Sequence, residues 1–550
     1  RAAVTATVPG GRLVAAGVPL YAEAAAAQAS REMSTIGLGS LLAVLLLVWL
    51  TFRSLRPILL VGLSLTLGCA VALSVTALLF ERVHLLTLVF GSSLVGVAED
   101  YGFHYFAARQ GRPPSERGAV MRGLLPGMAL ALLTSVVAYL ALGLAPFPGL
   151  RQMAVFSAAG LLGAFLTVIC WFPSLDLGAL PVTRFASRFS ASLTGWPRFR
   201  STRRWWLATA VLAGVLAGGL WRLETRDDLR QLQGAPEHLV ADQRELGRLL
   251  GLPSPAQFFL VGGESEEQVL THEVELKQRL DPLVAAGTLA GYRAVSDWLP
   301  SVAQQLADAG LSARAEAQAV AAVAEATGEQ PVRSAFAADA LTPARFLDSP
   351  AARAIRPQWL GQLGDGHYSV VMLRGLTDPS VLPRLAEAAR GLERVRWVDK
   401  TEEISRLLGR YRRIMGGLIV VGYVAVLLML VARFRREAWR AWLPSVLGTL
   451  ITLAVFGWVG EPLQLFSVLG LMLLLGMGVD YGIFLLEHPG EGSAWLAVAL
   501  AGVSTLLSFG LLALSATAAL RSFGLAMLLG EVTIWFLTPC FRLAPIKDVT

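Results

Sequence analysis

The chain of 550 residues is patterned in long apolar blocks separated by short polar turns. Leu41–Leu50 reads LLAVLLLVWL and Leu418–Val431 reads LIVVGYVAVLLMLV. Neither has a polar face, so neither fits the amphipathic pattern of a helix on a soluble core. A bilayer core about 30 Å thick is crossed by about 20 apolar helical residues. Eleven segments reach that length: 34–52, 57–80, 83–106, 122–143, 150–172, 204–222, 413–432, 441–460, 463–486, 494–516 and 521–541. The predicted fold class is therefore a polytopic α-helical membrane protein with eleven transmembrane helices.

Composition agrees. The chain is 55% hydrophobic and 16% charged, where a soluble protein carries roughly 25% charged residues. A soluble enzyme with a large core is excluded. The net charge of +7 is explained by where the cations sit. The short loops near 53–56, 107–122, 173–204, 433–440 and 487–493, with the C-terminus, hold 18 Lys and Arg. The opposite short loops hold three: Arg82, Arg151 and Arg521. The positive-inside rule puts the first set in the cytoplasm. The basic balance is a topology signal, and no nucleic-acid partner is expected. One loop dissents: Glu487–Ser493 carries two glutamates and no Lys or Arg.

Leu223–Tyr411 is then placed outside, which is the periplasm if the cell is Gram-negative. It reads as an α/β domain. Strands are predicted at Ala256–Val261, Leu289–Val295, Tyr368–Leu373 and Val395–Val398. Helices are predicted at Glu264–Leu283, Pro379–Leu392 and Lys400–Tyr411, around an Ala-rich helical middle. Two βα-type units around an insertion predict a split βαβ sandwich.

The chain repeats itself. Glu81–Leu86 matches Glu461–Phe466, and Asp100-Tyr101-Gly102 matches Asp480-Tyr481-Gly482, both 380 residues apart. Leu150-Arg151 matches Leu520-Arg521 at an offset of 370, because the intervening loop is shorter in the second half. The expected organisation is two pseudo-symmetric repeats. Residues 1–33 close a first periplasmic domain and form a connecting helix. A five-helix membrane repeat follows at 34–172, then a cytoplasmic linker at 173–203. A membrane helix at 204–222 opens the second half. The second periplasmic domain is 223–411, the second five-helix repeat 412–541, and the cytoplasmic tail 542–550. The partner of the helix at 204–222, with most of the first outside domain, is expected before Arg1.

This layout resembles the resistance-nodulation-division (RND) superfamily of transporters, and within it the MMPL-type exporters of lipids and pigments. The resemblance rests on Leu88–His104 (LVFGSSLVGVAEDYGFH), Gly476–Phe484 (GMGVDYGIF), the turn Phe52–Pro57 and the Leu-Arg pairs. It implies bacterial inner-membrane localisation and a periplasmic porter-like domain. It also implies a proton relay formed by Asp100, Tyr101, Asp480 and Tyr481.

The residues point the same way. An ionised carboxylate at the bilayer centre costs about 2.5–3.5 kcal/mol on insertion scales, and intramembrane carboxylates usually face the bundle interior. Asp100 and Asp480 bear that cost twice, at one repeat offset. A pseudo-twofold axis brings matching positions together, so Tyr481 is expected near Asp100 and Tyr101 near Asp480. A purely structural hydrogen-bonding role is the alternative. Gly96, Gly102, Gly476 and Gly482 flank the aspartates and read as close-packing positions.

Glu99, His104 and Glu531 are accessory candidates. They stand where the other half has Val479, Phe484 and Leu161. Glu99 either adds a second titratable group beside Asp100 or turns toward a polar cavity. His104 lies one turn on, either extending a relay toward the cytoplasm or serving as an interface histidine. Thr134, Ser135, Ser504 and Thr505 recur in matching helices. They bond either the aspartates or, the preferred reading, their own helix backbones.

Other chemistries find no template. There is no GxxxxGK[ST] loop for ATP, no HExxH and no Cys/His cluster. Cys69, Cys170 and Cys540 have no ligand or disulfide spacing. No cofactor or metal is expected, and the chain is read as a secondary active transporter. The expected function is proton-driven export of a hydrophobic or lipid-linked molecule. Expected partners are a lipid or amphiphilic substrate, protons and the membrane, with an oligomer or periplasmic partner left open. A multidrug efflux component, a sterol-sensing-like receptor or scaffold, and an auxiliary to protein secretion are the alternatives.

Overall fold

The computed structural model describes residues 13–84, 87–88, 91, 97–144, 148–199, 203–228, 236–251, 253–329, 339–376 and 378–543. Gly96, much of the segment 83–106, the first twelve residues and the end of the tail lie outside the described residues. The chain divides into two compact units. The smaller joins Arg1–Ala25 to Ala235–Ile404, and the larger joins Ala26–Gly234 to Ser405–Thr550.

The first half of the larger unit begins in α1 (Val18–Glu32), which continues through a π-helical turn at Met33–Gly37 into α2 (Leu38–Phe52). Next come α3 (Leu55–Leu79), α4 (Glu99–Arg109), α5 (Arg117–Gly143) and α6 (Pro148–Leu175). The short α7 (Arg184–Ser192) and α8 (Arg203–Arg222) complete it.

The smaller unit contains α9 (Glu237–Leu250), β1 (Pro253–Gly263), α10 (Glu266–Ala285) and β2 (Gly291–Arg293). It goes on through α11 (Val302–Thr327), α12 (Pro343–Leu347), β3 (Trp359–Leu363), β4 (Gly366–Arg374), α13 (Leu382–Ala388) and β5 (Val395–Asp399). The sheet order is β2-β4-β1-β5, with β3 also on β4, and every pairing is antiparallel. This is the interleaving a split βαβ sandwich requires: each βα unit places one strand between the two of the other. Alternation along β1 buries Phe259 and Val261, which pack with Val269, Leu276 and Leu280 of α10. Ser265 caps α10 by accepting from the Gln268 amide at 3.3 Å. The strand β3 and the helix α9 were not expected from the sequence.

The second half of the larger unit is α14 (Lys400–Phe434), α15 (Ala438–Val459), α16 (Leu465–Glu487), α17 (Gly492–Ser508) and α18 (Ala518–Leu537). Among the described residues, eight stretches are long and apolar enough to cross a membrane, where the sequence predicted eleven segments. The difference has three sources. Helices α14 and α15 form one apolar stretch, Lys400–Val459, parted by a 3-10 turn at Arg435–Glu437. The apolar part of α8 is the shorter Ala208–Arg222. The segment 83–106 is described only in part, with its end as α4.

The repeat appears in local geometry. A Phe-Arg pair ends α2 and α14, and both arginines, Arg53 (φ 48°) and Arg435 (φ 50°), turn left-handed as helix ends do. The acidic loop that dissented on charge is balanced from its neighbour. Arg433 donates to both carboxylate oxygens of Glu487, at 2.9 and 3.1 Å.

Candidate functional site

The site lies in the interior of the larger unit. Helix α16 is its centre, with nearly every residue from Leu465 to Leu486 buried. It packs against α5 of the first half as well as α15 and α18 of its own. Helix α4 in turn packs against α17 of the second half. Each Asp-Tyr helix is thus held by a helix of the opposite repeat.

Small residues also let each Asp-Tyr helix pack closely within its own half. A Cβ on Gly482 would strike the backbone of Ala441, and one on Gly102 would strike the Val61 side chain. Val61 and Ala441 are themselves 380 residues apart, so the same contact is built in both halves. At Gly476 the opposing residue is Ser135, whose hydroxyl donates to the Gly476 carbonyl at 3.3 Å.

Asp480 is buried and bonded across the repeats. Thr134 Oγ1 donates to Asp480 Oδ1 at 3.2 Å and Ser135 Oγ to Asp480 Oδ2 at 3.4 Å. The preferred expectation for these hydroxyls, bonding only to their own backbones, is corrected. Thr134 also bonds back to Ala131 at 2.9 Å, but its register on α5 faces Asp480, whose buried charge has more to gain from a donor.

The pseudo-symmetric bond on the other side has slipped by one residue. Ser504 is the repeat mate of Thr134, and its hydroxyl donates to Glu99 where the repeat would put Asp100. Asp100 is 7% exposed, and its Oδ1 has no hydrogen-bond partner. The described part of α4 begins at Glu99, which sets both carboxylates in the first helical turn, where the peptide dipoles favour negative charge.

The tyrosines follow the repeat in position but differ in partner. Tyr101 lies within electrostatic reach of Asp480, and Tyr481 of Asp100. The phenol of Tyr481 donates to Glu531 on α18. Tyr101 instead meets the Phe165 ring edge-on, at 5.7 Å, on α6. Glu531 is fully buried with Oε2 unpartnered. Glu99, Asp480 and Glu531 all act electrostatically on Asp100. Among the described residues, no ion pair reaches any of the four carboxylates. Such a cluster is stable only when protons are shared or held among its members.

His104 is buried and stacks on Phe484 with ring centroids 3.3 Å apart. It also lines a cavity of about 280 Å³ with Arg112, Gly123, His488 and Glu491. A second cavity of about 250 Å³ is lined by Ser40, Leu65, Glu99, Thr505 and Ser508. Among the described residues no cluster of three metal-ligating side chains occurs. At the end of α4, Arg109 and Asp176 form a buried ion pair at 3.1 Å, and Arg109 donates to the Gly178 carbonyl at 3.0 Å. The sequence reading missed this pair because Arg109 counts there only as a loop cation.

No family model matches the chain. One relative is the hopanoid transporter HpnN of Rhodopseudomonas palustris (strain TIE-1), 24% identical over 161 residues, covering 27% of this chain and 18% of that protein. Another is the protein translocase subunit SecD of Koribacter versatilis (strain Ellin345), 27% identical over 127 residues, covering 20% of this chain and 24% of that one. Among solved structures, SecDF in its super-membrane-facing form matches with a TM-score of 0.50 and 15% identity. That match spans 93% of this chain and 61% of SecDF. The chain has the long apolar helices of a multi-pass membrane protein, and over these stretches it is similar to a transporter and a translocase subunit. It shares its fold with SecDF over nearly its whole length, and the matched stretches span less than a quarter of the two sequence relatives.

Proposed function

We propose that this protein is an RND-type secondary transporter that uses the proton-motive force to export a hydrophobic or lipid-linked molecule from the inner membrane. In this reading the chain crosses the bilayer eleven times, with 223–411 as a porter-like domain outside. Asp100, Tyr101, Asp480 and Tyr481 carry the proton, with Glu99, His104 and Glu531 beside them.

One observation carries the reading. Two repeat-related aspartates are buried between the halves, one bonded by hydroxyls of the opposite repeat and the other left with an unpartnered oxygen. A fold needs no such pair for stability, since an unpartnered buried carboxylate destabilises it. A proton-coupled machine needs a carboxylate whose partners change with its charge. When Asp100 is ionised it attracts donors from the opposing helix; when protonated it releases them. That difference in interhelical bonding biases how the two repeats pack. The likeness to a hopanoid transporter favours a lipid as cargo.

A role in protein secretion is the second reading, favoured by the likeness to SecD and SecDF. Both are tested by deleting the gene and restoring it as wild type, Asp100→Asn, Asp480→Asn or the double variant. The extracted envelope lipids and the secreted proteins are then profiled by mass spectrometry. The expected result is one lipid class retained at the inner membrane in the deletion and in each Asn strain. Full restoration by the double Asn variant would overturn the mechanism. A defect confined to secreted proteins would favour the second reading.

A further inference from the structure

The two titratable residues that break the repeat within α4, Glu99 and His104, stand on either side of Asp100, and each lines a separate cavity. Glu99 shares its cavity with Ser40, Thr505 and Ser508, beside Val97 at the start of α4. His104 shares the other with Ala108 and Arg112, beyond the far end of the helix, and with His488 and Glu491. Five residues separate Glu99 from His104, about 7.5 Å along a helix axis. Asp100, with its unpartnered oxygen, lies between them. The second half has Val479 and Phe484 at these places, and neither side chain can carry a proton.

We infer that the proton path is one-sided: it runs along α4 from the Glu99 cavity through Asp100 to His104 and the His488 cavity. This rests on the proton-driven reading above. Asp480, held by Thr134 and Ser135, then exchanges its proton with Asp100 alone and lines neither cavity, and Glu531 is a fixed partner of Tyr481. The steps balance as simple transfers. The Glu99 carboxylate takes a proton from hydronium in its cavity and leaves water. It passes the proton to the Asp100 carboxylate. Asp100 gives it to the neutral His104 imidazole, one helical turn on and within reach of a bridging water. His104 releases it to water in the second cavity. Only O–H and N–H bonds form and break.

The surroundings suit each step. Ser504 donates to Glu99 and fixes its carboxyl at the wall of its cavity. Glu99 acts electrostatically on Asp100, its neighbour in the chain, so the next acceptor after Glu99 is Asp100. Around His104 the titratable and charged groups are His488, Glu491 and Arg112. Arg112 and His488 stand beside it in the cavity wall, and Glu491 offers the next acceptor. The stacked Phe484 ring fixes the imidazole plane.

The test uses the full chain in phosphatidylethanolamine–phosphatidylglycerol vesicles loaded with pyranine, under an imposed inward proton gradient. Asp100→Asn and Asp480→Asn should each remove the flux. Glu99→Gln and His104→Phe should each lower it at least about tenfold, with Glu99→Asp within about threefold of wild type. Wild-type flux from Glu99→Gln and His104→Phe, with Asp100→Asn inactive, overturns the one-sided path and leaves the relay standing. Flux unchanged by both Asn variants, or absent from the wild type, overturns the proton-driven reading itself. Should the variants misfold, the wild type still decides. Dicyclohexylcarbodiimide, which attacks protonated carboxyls in apolar surroundings, should label Glu99 in membranes, and mass spectrometry locates the label. An unlabelled Glu99 overturns the proposal.

Discussion

His104 and Phe484 stack on one another, although they are equivalent residues of the two repeats and lie 380 positions apart. A residue can touch its own repeat mate only beside the axis that relates the halves. The contact therefore locates that axis between α4 and α16. The other bonds fall in pairs about it: Thr134 and Ser135 to Asp480 on one side, Ser504 to Glu99 on the other. The site is symmetric in frame and asymmetric in chemistry, since the first half adds Glu99 and His104 and the second adds Glu531.

The first prediction concerns orientation. Single cysteines placed in Glu266–Ala285 should react with a membrane-impermeant maleimide added to spheroplasts. Cysteines placed in 110–118 should react only after the membrane is opened. Labelling of the second set from outside would reverse the topology.

The glycine contacts predict unequal costs. A methyl at Gly482 meets Ala441 backbone, which cannot move without shifting α15. A methyl at Gly102 meets the end of the Val61 side chain. Overpacking of this kind costs about 1–3 kcal/mol, and Gly482→Ala should sit at the upper end. Thermal unfolding in detergent should rank Gly482→Ala below Gly102→Ala. The double variant Gly102→Ala with Val61→Ala should recover most of the smaller loss.

Much of this was legible in the sequence. A carboxylate inside an apolar helix announces itself, so Asp100, Asp480 and Glu531 were found at once, and the 380-residue offset paired the first two. The Ser504–Glu99 bond was not legible. Aligned repeats set Asp against Asp, and a slip of one position depends on how α4 starts, which hydropathy does not encode. In the smaller unit, alternation exposed β1 and β4. It missed β3, where Gly361 (φ 70°) and the exposed Leu360 and Leu363 erase the apolar period. Glu273 was missed too, because an acid on an amphipathic helix reads as solvent-facing.

Arg109 and Asp176 predict a stability effect independent of transport. Both side chains are essentially unexposed; Tyr105 also donates to the Asp176 carboxylate, and Arg117 to the Asp176 backbone carbonyl. Removing one charge leaves the other buried and unpaired, which costs about 3–5 kcal/mol. Asp176→Asn should lower the unfolding temperature in detergent markedly. Adding Arg109→Met to it should recover part of the loss, because the orphaned cation is then gone. Additive losses from the two changes would mean that the residues act separately.

Glu273 predicts a pH dependence in the smaller unit. Its carboxylate is fully buried; Oε1 accepts from Ser369 Oγ at 2.6 Å and Oε2 from the Ser296 amide at 2.7 Å. Burial pushes its carboxyl above the ordinary range, against the opposing pull of those bonds. The sign follows from proton counting. Between the unfolded and the raised folded pKa, the folded state binds more protons than the unfolded one. Stability is then highest below the unfolded value and falls as pH rises through the folded one. Protection of the Val261 and Val371 amides against hydrogen exchange, after correction for the intrinsic rate, should decline as pH rises above about 4.3. Glu273→Gln keeps the shape and cannot ionise, so its protection should be flat over the same range. A wild-type protein whose protection rises with pH there would show that the bonds from Ser369 and Ser296 outweigh desolvation at this residue.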